Sequence, residues 1–330
     1  MSQRVLSEAE LGEFGAEQGW AARLQAVLRH QISNWPACRA GFLGLEDICR
    51  KEVWVDGDRV WVQYNPLRIC SVAADVSPEG IKSRPCFLCE ENLPELQAGL
   101  LLPGDYIALC NPQPIFEAHF TIAHLRHIRQ DISRVIKPFL EIARLLGPEY
   151  ALFFNGAKAG ASAPDHLHYQ ACPASALPVL GVIGDEYRIF KLGGDEMLQV
   201  YMAIFAGVRY LVVRGASVEA VGRKVEKFLE MLASKGSDGK DLVNIITRHT
   251  GVWWEVVLVG RSKHRPDCYF RNEGERFLIS PACVELGGVV VAPRREDFER
   301  LNGMVLLEIF QEVTLSRPFF EEVARKVVSA

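Results

Sequence analysis

The sequence predicts an α+β protein in which antiparallel sheets carry packed helices and the chain is built as two related halves. Two observations lead there. Residues 106–172 read as strand, strand, helix, strand, strand, an order that suits an antiparallel sheet with a helix on one face. Residues 205–293 repeat that character without obvious sequence identity. At 330 residues, with 49% hydrophobic and 24% charged side chains, the chain has room for two domains or one duplicated unit around a real core.

Taken in order, residues 20–51 carry Leu24, Val27, Leu28 and Ile32 at helical spacing until Trp35-Pro36 breaks the pattern. EVWVDGDRVWVQYNP (52–66) alternates Val, Trp and Tyr around Asp-Gly, a hairpin signal. A loop rich in Ser, Pro and Gly leads to RPCFLCEENLP (84–94). YIALCN and FEAHFTIAH are short strands split by Pro112 and Pro114. DISRVIKPFLEIARLLG (131–147) reads as a helix capped by Asp131 and stopped by Gly147, with Ile132, Val135, Phe139, Leu140 and Ala143 on one face. EYALFFNG (149–156) and HLHYQAC are the next strands, followed by a linker near 173–185. In the second half FAGVRYLVVRG (205–215) and VWWEVVLVG (252–260) are strand-like, and GGVVVAP (287–293) is a buried strand. SVEAVGRKVEKFLEMLASKG (217–236) is a helix with a Ser cap and a Gly stop, and SRPFFEEVARKVV (316–328) is a closing helix with Pro318 in its first turn.

Composition excludes several classes. A net charge of -4 argues against a nucleic-acid-binding surface. The N-terminal stretch MSQRVLSEAELGEF is acidic and lacks the apolar core of a signal peptide, and no apolar run reaches the roughly 18–20 residues of a membrane span. Nine cysteines, an odd number spread thinly, argue against a secreted disulfide framework, so a reducing cytoplasm is expected.

The chemistry concentrates in GASAPDHLHYQ (160–170). In a strand, His166, His168 and Gln170 would share one face. They follow NGAKAGAS (155–162), small residues whose backbone amides can approach an anionic oxygen, although no GxxxxGK[ST] pattern is present. A neutral imidazole, with an ordinary pKa near 6.5, can attack phosphorus without a separate base. CFLC (86–89) taken alone is open between half a metal site, a redox pair and chance, with no thioredoxin-like context for the redox reading. Arg68 is either a phosphate partner or a solvated arginine. The cluster RSKHRPD offers Arg261, Lys263, His264 and Arg265 for the phosphate of a sugar phosphate or dinucleotide, and Lys158 lies in the small-residue loop within reach of a β-phosphate. His119, His249 and the other cysteines read as structural.

FFNG…GAS…HLHYQ resembles the histidine-triad superfamily, in particular its transferase branch of galactose-1-phosphate uridylyltransferases, diadenosine tetraphosphate phosphorylases and GDP-hexose phosphorylases. The resemblance is specific over about 84–172 and fainter beyond. It implies a histidine-triad-like fold with an N-terminal helical arm and hairpin over 1–75, a catalytic half over 76–175 and a second half over 176–330. It puts His168 in the nucleophile's position and Gln170 where the hydrolase branch has a third histidine. Asn155, Gly160 and Ser162 match positions that touch phosphates or orient the nucleophile. It also implies a structural zinc on Cys86, Cys89, His127 and His166, with His127 matching better than His124. Asp165 departs from the family's Pro-His pattern, which loosens the carry-over of loop contacts. Gln170 can donate a hydrogen bond but cannot protonate a leaving group, which favours transfer over hydrolysis. The implied activity is a nucleotidyltransferase or phosphorylase acting on an NDP-sugar or dinucleoside polyphosphate through a nucleotidyl-histidine, with orthophosphate or a sugar phosphate as acceptor. Homodimers are common in the superfamily. The rivals are a hydrolase on the same fold and a non-catalytic, zinc-stabilised nucleotide-binding protein.

Overall fold

In a computed structural model of the chain, residues 4–16, 18–185, 188–234, 236 and 239–330 are described. The N-terminal helices Trp20–Asn34 and Pro36–Leu43 part at Trp35-Pro36, as the sequence indicates, but helix ends at Leu43 rather than running to 51. β1 (Cys49–Val55) and β2 (Asp58–Tyr64) form the expected hairpin, and the Asp-Gly turn has both central residues at positive φ, 50° at Asp56 and 83° at Gly57.

The first half contributes β3 (Gly99–Leu102), β4 (Tyr106–Cys110), β5 (Phe120–His124), β6 (Tyr150–Asn155) and β7 (His168–Pro173). The second contributes β8 (Ile189–Gly194), β9 (Leu198–Phe205), β10 (Val208–Gly215), β11 (Val243–His249) and β12 (Trp254–Gly260). All ten lie in one antiparallel sheet ordered β3-β4-β5-β7-β6-β11-β12-β10-β9-β8. Each half is three strands, a helix and two more strands, with the last two swapped in spatial order. The order reads the same outward from the central β6–β11 pair, so the two halves are related by topology. β13 (Val289–Ala292) is the buried strand expected at 287–293, and it lies parallel to β2 in a separate three-stranded sheet.

Strand alternation divides the side chains between two cores. Tyr150, Leu152, Phe154, Tyr169 and Ala171 pack under the helices Ile136–Leu146, Val218–Ala233 and Arg317–Val328. Ala151, Phe153 and Cys172 turn the other way, toward the three-stranded sheet and the helix Gly303–Val313. The helix at 131–147 starts later than its sequence suggests. Asp131 caps a short 3₁₀ turn at Ile132–Arg134, and the α-helix begins at Ile136, which brings Pro138 into the first turn, where its missing N–H is harmless. The stretch expected as a linker instead holds the helix Pro178–Val182, because Leu177, Val179 and Leu180 are buried in the second core. Among the described residues no helix is long and apolar enough to cross a membrane.

Candidate active site

A cavity of about 640 Å³ opens on the sheet face opposite the helices, within the range of small-molecule sites. Its floor is His168 and Gln170 on β7, with Thr121 on β5 and Asn155 at the end of β6. The small-residue loop contributes Gly160, Ala161 and Ser162, the second half contributes His264, Arg265, Ser280 and Glu285, and the 68–87 segment adds Arg68 and Arg84. Gly160 is demanded twice over. Its φ is +96°, and a Cβ there would sit 2.6 Å from the Ala282 Cβ.

The tautomer of His168 follows from its neighbours. Nδ1 lies 2.8 Å from the His166 carbonyl, which can only accept, so Nδ1 carries the proton and Nε2 keeps its lone pair. The ring is buried, which pushes its pKa down to about 4 and keeps it uncharged. Its backbone is held by Gln130, whose Oε1 accepts from the His168 N–H at 2.8 Å while Nε2 donates to the carbonyls of Asn155 and His168 at 2.9 and 3.0 Å. Gln130 therefore ties β6 to β7 beyond the last residues they pair.

Gln170 is oriented by His119. The Ile115 N–H donates to His119 Nδ1 at 3.1 Å, so Nε2 bears the proton and donates to Gln170 Oε1 at 2.9 Å. That leaves the Gln170 NH₂ for the cavity. Burial, helped by the nearby Arg68 cation, holds His119 at a pKa of about 3. His119, read as structural from the sequence, lies behind Gln170 and orients it.

The strand alternation expected for HLHYQ holds only for its second part. β7 begins at His168, and His166 sits in the preceding turn, where its ring turns to the Cys86–Cys89 loop. Cys86, Cys89, His127 and His166 offer ligand atoms all within 4.8 Å of one another. His166 Nδ1 lies 3.3 and 3.6 Å from the two sulfurs, and His127 Nδ1 lies 3.2 Å from Cys89 Sγ. His166 Nε2 donates to the His124 carbonyl at 2.7 Å, leaving Nδ1 with its lone pair toward the thiols, the arrangement of a metal-ligating histidine. A Cys₂His₂ set of this compactness fits a tetrahedral metal.

Of the basic residues singled out in the sequence, Arg68, His264 and Arg265 reach the cavity wall. Lys158 is exposed on the loop and Lys263 is paired with Asp267 and Glu312, and neither lines the cavity. Arg265 is partly committed, donating to the carbonyls of Val72 and Ala74 at 3.1 and 2.9 Å and lying over the Tyr269 ring. Arg84, Glu285 and Gln130 went unnoticed in the sequence. Arg84 sits beside the CxxC and donates to the Ser162 carbonyl and to Asp165 Oδ1, both at 3.3 Å. Asp165 Oδ2 in turn lies 3.7 Å from His127 Nε2, so the residue that departs from the family pattern links the metal cluster to the cavity wall.

Residues 193–330 match the family described as GDPGP1-like, C-terminal domain, and residues 27–173 match one described as a domain of unknown function, DUF4922. Among solved structures, yeast Ap4A phosphorylase Apa2 in complex with Ap4A aligns at a TM-score of 0.55 and 14% identity, covering 84% of this chain and 96% of that one. The same yeast enzyme in complex with AMP aligns at 0.52 and 16%, covering 87% and 96%. The chain shares the fold of that enzyme over most of both chains. No curated protein matches its sequence. The HxHxQ row lies in the first half. β12, the topological counterpart of β7, reads WEVVLVG and holds no imidazole.

Proposed function

We propose that the protein is a nucleotidyltransferase of the phosphorylase type, cleaving an NDP-sugar or a dinucleoside polyphosphate at the α-phosphorus. One observation carries this reading: a neutral imidazole, its free Nε2 on the cavity floor, between two amides whose NH₂ groups are available to a phosphoryl oxygen. In the first step the Nε2 lone pair bonds to the α-phosphorus and the bond to the bridging oxygen breaks, releasing hexose 1-phosphate or a nucleoside polyphosphate. The imidazolium formed is stabilised by the Nδ1–H donated to the His166 carbonyl. In the second step an orthophosphate oxygen attacks, the N–P bond breaks, and a nucleoside diphosphate leaves. Gln170 and Asn155 stabilise the equatorial oxygens by hydrogen bonding and transfer no proton.

The cavity wall mixes apolar and basic surface. Leu88, Leu93, Pro94, Leu109 and Pro112 suit a nucleoside, and Arg68, His264 and Arg265 suit the phosphate of the leaving group or acceptor. The match to a GDPGP1-like domain and the likeness to an Ap4A phosphorylase support the reaction class. Bound at Cys86, Cys89, His127 and His166, zinc would supply a structural cross-link. Those residues fix His166, and through its carbonyl the ring of His168. Free thiols at all nine cysteines suit a cytoplasmic setting.

The test is to incubate the protein with α-phosphate-labelled GDP-sugars, UDP-sugars and dinucleoside tetraphosphates, then quench in alkali, where phosphohistidine survives. Label should reside on the protein and vanish in His168→Ala, and nucleoside diphosphate should form only when orthophosphate is present. Label persisting in His168→Ala refutes the assignment. Nucleoside monophosphate formed at the same rate without orthophosphate identifies a hydrolase.

A further inference from the structure

Asn155 and Asn244 face one another across the β6–β11 ladder, where the two halves join. Both are buried, and strand alternation puts Asn244 on the cavity side of the sheet, between the helix-facing Val243 and Ile245. Neighbours fix the Asn244 amide. Its Oδ1 accepts from the Arg261 guanidinium at 2.7 Å, a group that can only donate. Its Nδ2 therefore faces the other way, donating to Asn155 Oδ1 at 2.8 Å and to the Ala159 carbonyl at 2.7 Å. Asn155 Oδ1 also accepts from the Cys283 N–H at 2.9 Å. With both lone pairs of that oxygen taken, the Asn155 NH₂ is directed away from them, and Asn155 is a wall residue of the cavity that holds His168.

Arg261, just past β12, is 2% exposed and saturated with neutral acceptors. Nε donates to the Val313 carbonyl at 2.9 Å, NH1 to Asn244 and the Pro281 carbonyl at 2.8 Å, and NH2 to the carbonyls of Lys263 and His264 at 3.2 and 2.9 Å. Among the described residues no carboxylate forms an ion pair with it. Burying an unpaired cation is costly, and an apolar side chain would fill the space more cheaply. What the guanidinium gains is order at the cavity. It fixes the Asn244 amide and, by their carbonyls, the segments carrying His264, Arg265, Ser280 and Ala282.

We infer that Asn244 and Arg261, both from the second half, are positioning residues that hold the Asn155 amide N–H toward the phosphoryl group attacked by His168, an inference that rests on the function proposed above. The half that lacks the attacking histidine thus serves the reaction by orienting a donor in the half that has it.

The test is a double-mutant cycle on the rate of His168 labelling. Asn244→Asp keeps the shape and gives Arg261 a carboxylate, but cannot donate to Asn155, so the Asn155 amide turns its oxygen to the phosphate. Labelling should slow about 100-fold, as for loss of one oxyanion donor, while the thermal midpoint falls because the Ala159 carbonyl also loses its donor. Asn155→Ala should show a comparable loss, and the double variant should be no slower than Asn155→Ala alone. If Asn244→Asp does not fold, Arg261→Lys, which keeps the charge but loses the fork, is read in the same cycle. A wild-type rate in Asn244→Asp, or losses that multiply in the double variant, overturns the inference. A wild-type protein that never takes label sinks the proposed function instead. The cycle is then read on GDP and ADP affinity, where equal and non-additive losses support the relay and independent losses refute it.

Discussion

His119 makes the protein acid-sensitive in a way that can be measured. Its ring is fully buried between Gln170 and the Ile115 N–H, and burial with the Arg68 cation holds its pKa at about 3 in the folded state. In the unfolded chain the value returns to about 6.5. Between those two values the unfolded chain binds a proton that the folded one excludes, so stability falls as pH drops below about 6.5. At pH 5, about 1.5 units below the unfolded value, the loss is roughly 2 kcal/mol. It is the same for any folded pKa below about 4, because the folded ring is then neutral at pH 5. His119→Gln keeps an N–H for Gln170 and removes the ionisation. Urea unfolding at pH 7 and pH 5 should show the variant losing about 2 kcal/mol less than the wild type over that interval. An equal loss in both proteins would mean that His119 is protonated in the native state, and the orientation argued for Gln170 would fall with it.

Two further outcomes follow from the geometry. Purified protein should carry stoichiometric zinc by elemental analysis, and chelation should lower its thermal midpoint, the bound metal contributing about 4 kcal/mol at free concentrations about a thousandfold above its Kd. Cys86→Ser should abolish both the metal content and the chelator effect. Gly160→Ala, which forces an L side chain to φ +96° and against Ala282, should cost about 1–3 kcal/mol and weaken nucleotide binding in a thermal-shift titration.

Much of this architecture is legible in local pattern. The Asp-Gly hairpin, the Ser217-capped helix and the buried strand at 289–292 rest on short-range rules, and each forms near its expected limits. Where the structure departs from that pattern, the cause is tertiary. The stretch near 173–185, read as a linker, holds a short helix because tertiary burial of Leu177, Val179 and Leu180 decides its structure. In the candidate site, HxHxQ and CxxC stand out because they bring unusual residues together in sequence. Gln130, Asn244 and Arg261 do not, because each acts through one hydrogen-bonded partner far away in the chain. A lone amide between apolar strand residues looks the same in sequence whether it orients a phosphate donor or merely fills a ladder position. Lys263 shows the converse. It is basic and near the cavity in sequence, yet Asp267 and Glu312 neutralise it on the surface.

The unbroken ladder from β5 through β12 also limits how the two halves can move. Two lobes joined by a hinge can swing apart to let one product out and the next reactant in. Here the join is itself a run of backbone hydrogen bonds between β6 and β11, so any such swing would tear the sheet at Asn155. In the proposed two-step transfer, leaving group and acceptor would therefore meet His168 in turn over a floor that the sheet holds fixed.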